Sequence, residues 1–251
     1  MVIFKEPVKK HRPVCLLIDR SKSVETENGR VMEGINRCAI EAVKKMKEQI
    51  LYRDMTEMLV IQFDTNPEVM ADFVKLDELD ARAVTIAQAR GCTDTGKALL
   101  LALEMLTQKK KECKNKGEEY VQPLLFLITD GAPDPGKPMH ESQREAHARA
   151  VREYEDRYQK AAAMIRQMEE ADKLVFVAGG ITVSEEIAAD IDKLRELTNH
   201  PEQVVELDCS GDLSNLECFF EVILMATEAP PEKSPIAALV KRIAVGKKSN
   251  G

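Results

Sequence analysis

The sequence predicts an α/β fold, a parallel sheet with helices on both faces (three layers, α/β/α). Strand-like runs alternate with segments of helical spacing along its 251 residues. The runs are apolar without interruption, as strands buried on both faces are. Three clusters rich in Ser, Thr, Asp and Gly lie at or near the ends of such runs, and folds of this class bind ligands beyond the carboxyl ends of their strands.

The elements follow in order. Residues 13–19 read as a strand. Residues 30–51 read as a helix, with Ile35, Cys38, Ala42, Met46 and Ile50 at helical spacing. A second strand covers 57–63 and a short third lies near 69–74. The next helix runs over 93–111, with Leu99, Leu103 and Leu106 facing the core. Residues 123–129 form a strand, and so do 174–178, which Gly179-Gly180 is expected to end. A helix over 185–197, a strand over 204–207 and a helix over 213–226 close the domain.

Two segments stand outside this alternation. Residues 135–171 form a long charged insert. Val151, Tyr154, Tyr158, Ala161, Ile165 and Met168 recur every three or four residues, so most of the insert is one amphipathic helix starting near the polar clusters. A packing helix is the preferred reading over a partner-recognition element. Residues 229–251 read as a flexible tail with one amphipathic turn over 236–245, and 1–12 as an N-terminal extension, leaving 13–228 as the domain.

Composition narrows the function. The net charge of −7 argues against nucleic acid, whose binding needs a basic face. Residues 1–12 lack an apolar stretch of signal-peptide length and no segment is long enough to span a membrane, so no membrane association is expected. Six cysteines stand at 15, 38, 92, 113, 209 and 218 without a C-x-x-C pair, which suits a reduced cytoplasmic compartment better than disulfides or zinc.

The clusters carry the chemistry. Asp19-Arg20-Ser21-Lys22-Ser23 sets one carboxylate and two hydroxyls on one turn after a strand. Such oxygens suit a hard divalent cation. Gly91-Cys92-Thr93 and Thr129-Asp130-Gly131 are the other two pieces. In the metal reading, Ser21, Ser23 and Thr93 coordinate directly while Asp19 and Asp130 hold coordinated waters. Neutral direct ligands leave the ion electron-poor, so it would attract a carboxylate from a partner protein. Each piece alone also fits a helix cap or a plain turn; three in order at strand–helix junctions favour a site.

Two alternatives stay open. One is a nucleotide- or phosphate-handling enzyme: Gly91 to Lys97 fits G-x-x-x-x-G-K, although Ala98 replaces the Ser or Thr a phosphate loop requires and Asp94 would oppose phosphate. The other is a scaffold whose metal serves only stability. Catalysis has little support, since the four histidines lack metal spacing and no G-x-S-x-G occurs.

These residues resemble a von Willebrand factor A domain with a complete metal-ion-dependent adhesion site, and more closely the bacterial tellurium-resistance TerY-like proteins. The resemblance runs from about Pro13 to Thr227. It includes Val60-Ile61-Gln62-Phe63-Asp64, Thr95-Gly96-Lys97-Ala98-Leu99, Leu127-Ile128-Thr129-Asp130-Gly131-Ala132-Pro133 and Phe219-Phe220. It implies a six-stranded, mostly parallel sheet with a short antiparallel edge strand, and Mg²⁺ or Mn²⁺ at its top. It further implies a non-enzymatic protein-binding role in a chemical- or metal-stress system, often beside a protein kinase and a phosphatase. Lys22 departs from the small residue usual there, which is expected either to bias partner choice toward acidic surfaces or to weaken the metal modestly, unless it only points to solvent; with Asp94 and Asp134 it is expected to face the partner. The long insert is the second departure. Oligomeric state is not legible.

Overall fold

The computed structural model describes residues 8–25, 29–48, 53–131, 133–136, 140–184 and 188–229. The chain runs β1 (Lys10–Asp19), α1 (Arg30–Glu48), β2 (Thr56–Phe63), β3 (Pro67–Lys75), α2 (Thr95–Lys116), β4 (Glu119–Tyr120), β5 (Leu124–Thr129), α3 (Arg144–Glu170), β6 (Val175–Thr182), α4 (Ile191–Arg195), β7 (Val204–Asp208) and α5 (Ser214–Glu228). The strands lie in the order β3-β2-β1-β5-β6-β7, with β4 paired to the start of β1. Every pairing is parallel except β2 with β3, the antiparallel edge.

The uninterrupted apolar strands have a geometric cause. Successive side chains of a strand point to opposite faces. In β1, Val14, Leu16 and Ile18 face the layer of α1 and α5, where Ile35, Cys38, Phe219 and Ile223 meet them. Cys15 and Leu17 face the layer of α2 and α3, with Leu99, Leu103, Tyr158 and Ile165. Both faces are covered, so both sets must be apolar.

Helix α3 accounts for most of the charged insert. Tyr158, Ala161 and Ile165 are fully buried, whereas Val151 is 43% exposed. Gly96 lets α2 and α3 approach closely, because a Cβ there would lie 2.4 Å from the Tyr158 backbone nitrogen. The insert therefore packs as a layer of the fold.

Four elements differ from expectation. Strand β1 begins at Lys10, inside the stretch read as an extension. The Arg12 side chain is buried there and donates to the carbonyls of Ala226, Thr227 and Ala229, closing the end of α5. Gly179 and Gly180 do not end β6, which continues to Thr182. They are small because neighbours crowd them: a Cβ would lie 2.6 Å from Leu207 Cδ1 at Gly179 and 2.6 Å from Ile191 Cδ1 at Gly180. The helix expected over 185–197 is helical only at Ile191–Arg195, where Asp190 accepts from the Lys193 backbone N–H and sets the start; residues 185–187 lie outside the described residues. Strand β4 has two residues and escaped the apolar pattern. The turn expected over 236–245 and nearly all of the tail also lie outside the described residues. Among the described residues, no helix is long and apolar enough to cross a membrane.

Candidate metal centre

The carboxyl ends of β1 and β5 bring two acids together. Asp19 closes β1, and one of its oxygens accepts from the Ser21 backbone N–H at 2.8 Å. That short-range bond turns the chain at once, and residues 22–25 continue as a 3₁₀ turn. The turn sets Ser21 Oγ 3.0 Å from Ser23 Oγ. The second Asp19 oxygen accepts from Thr129 Oγ1 at 2.6 Å, tying β1 to β5. Asp130 follows Thr129, buried beside Asp19, with the Ser21 and Ser23 hydroxyls and the Asp19 side chain within hydrogen-bonding reach.

Thr93 reaches the same end of the sheet through its backbone. The Arg90 N–H donates to the Arg20 carbonyl at 2.8 Å and the Asp94 N–H to the Asp64 carbonyl at 3.0 Å. Thr93 and Asp134 then form an antiparallel bridge, with N–H to carbonyl distances of 3.0 and 2.9 Å. The loop before α2 is thereby fixed between the ends of β1 and β2 and the loop after Asp130. Thr93 is buried; Lys22 and Asp134 are exposed, and Ser23 is half-buried. Both acids are buried, and the more exposed residues of the cluster are Ser23, Lys22 and Asp134.

Two carboxyls in this pocket are held above their ordinary range. Burial, and then the Asp130 charge, push the Asp19 carboxyl up to about 8 against hydrogen bonds from Thr129 and Ser21. Burial likewise raises Asp130, against the hydroxyls of Ser23 and Ser21. Among the described residues, buried Asp130 Oδ2 has no hydrogen-bond partner. Two buried carboxylates this close cannot both stay ionised at little cost without a proton or a cation between them. Asp19, Asp130, Ser21 and Ser23 offer oxygen donors, the kind that hard divalent cations take.

The expected partner-facing residues divide. Lys22 and Asp134 lie at the surface. Asp94 does not: it is 1% exposed. One of its oxygens accepts from the Lys97 backbone N–H at 3.0 Å, capping α2, and the other from Arg157 Nη2 of α3 at 2.6 Å. A helix N-terminus prefers a negative charge, and Asp94 supplies it from within. The place where a phosphate loop would hold its anion is therefore taken, and Lys97 Nζ is donated to Asn66 Oδ1 at 2.6 Å.

Three supporting residues had no assigned role in the sequence reading. Thr129 orients Asp19. Arg157 anchors Asp94 from a helix 63 residues away, which no local pattern signals. Asp64 gathers Arg20 at 3.0 Å and Arg90 at 3.1 Å, and also accepts from the Asn66 backbone N–H. Burial raises its carboxyl, but the Asn66, Arg90 and Arg20 donors outweigh it and hold the group below its ordinary value. That network stiffens both the turn after β1 and the loop that carries Thr93.

Known proteins match this fold. Residues 14–208 match the family model described as the von Willebrand factor type A domain. No curated protein matches the chain. Among solved structures, proximal thread matrix protein 1 from the mussel byssus, in a form with a zinc-occupied MIDAS motif, superposes with a TM-score of 0.56 at 16% identity, over 89% of this chain and 49% of that one. The von Willebrand factor domain of the type V pili tip protein Mfa5 from Porphyromonas gingivalis gives 0.59 at 12% identity, over 88% and 96%. The pilus adhesin SpaC from Lactobacillus rhamnosus GG gives 0.61 at 14% identity, over 89% and 32%. The chain spans about half the length of the mussel protein. At these identities the likeness is one of fold.

Proposed function

The chain belongs to the von Willebrand factor type A domain family, and we propose that it is a protein-binding module whose grip depends on a divalent cation, Mg²⁺ or Mn²⁺. In this reading Ser21, Ser23 and Thr93 hold the ion directly, and Asp19 and Asp130 hold it through water. The ion, when bound, supplies an electrophilic position for a carboxylate of the partner. The residues of the chain do the rest: Thr129 fixes Asp19, the Asp64–Arg20–Arg90 network fixes the two loops, and exposed Lys22 and Asp134 flank the approach. Lys22 favours an acidic partner surface.

One observation carries the reading. Asp19 and Asp130 are buried side by side, one oxygen of Asp130 has no hydrogen-bond partner among the described residues, and the Ser21 and Ser23 hydroxyls lie within reach of it. Nucleotide handling is disfavoured by Asp94, whose carboxylate occupies the start of α2. We assign the chain no catalytic role.

The finer placement rests on the resemblance to TerY-like proteins. It is a cytoplasmic role in a tellurite- or chemical-stress system, with a kinase or phosphatase of that system as the partner, and with no nucleic acid or membrane as ligand. A pull-down from the native host tests it. The partner should be released by EDTA, return with Mg²⁺, and be lost in Thr93→Ala with the melting temperature nearly unchanged. Capture indifferent to EDTA would sink the adhesion reading.

A further inference from the structure

The opposite end of the sheet carries a second constellation. His11 lies at the start of β1, and its side chain is 4% exposed. Its Nδ1 donates to Glu57 Oε1 of β2 at 3.0 Å, because a carboxylate can only accept. Lys109 Nζ of α2, 2.6 Å from Glu57 Oε2, holds that carboxylate in place. Nε2, on the other side of the ring, lies 3.0 Å from Glu118 Oε2 and near the Cys113 thiol. It makes no hydrogen bond among the described residues despite its burial.

The chain builds this cluster locally. Cys113 lies in the last turn of α2. Gly117 adopts the left-handed conformation, φ 70°, and donates to the carbonyls of Cys113 and Lys114. The turn doubles the chain back, so that the Glu118 N–H also donates to the Cys113 carbonyl at 2.9 Å. Strand β4 then pairs with β1, aligning Tyr120 with His11. A helix cap and a two-residue strand thus deliver a thiol and a carboxylate to one imidazole. The three ligand atoms lie within 4.8 Å of one another.

We propose that His11 Nε2, Cys113 Sγ and Glu118 form a zinc-class metal site, distinct from the cation site at the top of the sheet. Nitrogen, sulfur and oxygen donors are those that zinc takes, with a water completing four-coordination. Tetrahedral ligands around zinc stand roughly 3.3–3.8 Å apart, so a contraction of about 1 Å closes the site. Glu57 behind His11 plays the part of the carboxylate that orients a metal-bound imidazole and fixes its tautomer. The Cys113 thiol releases its proton to solvent as it ligates. His11 stands eight residues before Asp19 on β1, about 26 Å at strand spacing. The two sites therefore take different metals without sharing a ligand.

Cobalt(II) titration of the full chain tests the proposal, because a thiolate ligand gives a near-ultraviolet charge-transfer band that an all-oxygen site cannot give. The band should saturate at one equivalent and be displaced by zinc. It should persist in Asp19→Asn and in Cys92→Ser, and disappear in Cys113→Ser. Glu118→Gln, at a half-buried position, should keep its circular dichroism and weaken cobalt binding at least about tenfold. No band in the unaltered chain, or a band unchanged in either Cys113→Ser or Glu118→Gln, would overturn the assignment and leave His11 as an ion-paired imidazole between two carboxylates.

Discussion

Asp19 answers to two neighbours at once. Thr129 holds one of its oxygens and the Ser21 backbone the other, while burial and Asp130 press it toward the protonated form. The pH dependence follows in sign. Its carboxyl rises from an ordinary 3.8 to about 8 in the folded state. Between those values the folded protein binds more protons than the unfolded chain, so the metal-free fold loses stability as pH rises through that window. Mg²⁺ should therefore raise the melting temperature much more at pH 8 than at pH 5, as melts with EDTA and with Mg²⁺ would show. In Asp19→Asn the Mg²⁺ response should vanish, while the metal-free form becomes more stable at pH 8 by at least about 1 kcal/mol. Thr129→Val keeps volume and removes the donor to Asp19; Mg²⁺ affinity should drop about 10–100-fold with little loss of secondary structure, measured by calorimetry and circular dichroism. Ser21, Ser23 and Asp130 stood out in the sequence because each belongs to a short motif at a strand end, and the fold brings them together. Asp94 was misjudged, because a sequence shows a carboxylate in a loop but not the Arg157 that draws it inward from α3.

At the scale of elements, strands buried on both faces were the easiest to read, since their apolar runs have no polar interruption. The errors arose where a residue has two possible meanings. Gly179-Gly180 resembles a strand end, yet the glycines lie inside β6 because Leu207 and Ile191 leave no room for a side chain. Arg12 resembles part of a charged extension, yet it is a buried cap on α5, fifteen residues that end where its guanidinium meets three carbonyls. A guanidinium at the C-terminus of a helix also meets the negative end of the helix dipole. Arg12→Ala should remove those bonds and leave the carbonyls unsatisfied, costing about 3 kcal/mol in urea unfolding. A loss below about 0.5 kcal/mol would show that the cap is dispensable. Strand β4 was invisible because two residues carry no periodicity.

The whole molecule is a sheet with two chemically different ends. At the top, the ends of β1 and β5 bring the oxygens of Asp19, Ser21, Ser23 and Asp130 together, and the loop carrying Thr93 is bonded to the same end, in accord with ligands binding beyond the carboxyl ends of strands. At the bottom, the start of β1 meets the end of α2 with nitrogen, sulfur and oxygen donors. The long α3 belongs to the body of the fold: it seals one face of the sheet with Tyr158, Ala161 and Ile165 and holds the start of α2 through Arg157. Fold class and cation-site candidates could be read from sequence because strand order and motif order are linked in such sheets. The bottom cluster could not, since His11, Cys113 and Glu118 lie on three elements with no shared motif.

Calorimetric titration of the full chain with Mg²⁺ and with ATP tests the central claim most directly. The account predicts saturable Mg²⁺ binding that disappears in Asp19→Ala, and no heat from ATP. Absence of binding to Mg²⁺ and Mn²⁺ alike, or tight ATP binding that requires Lys97, would contradict it.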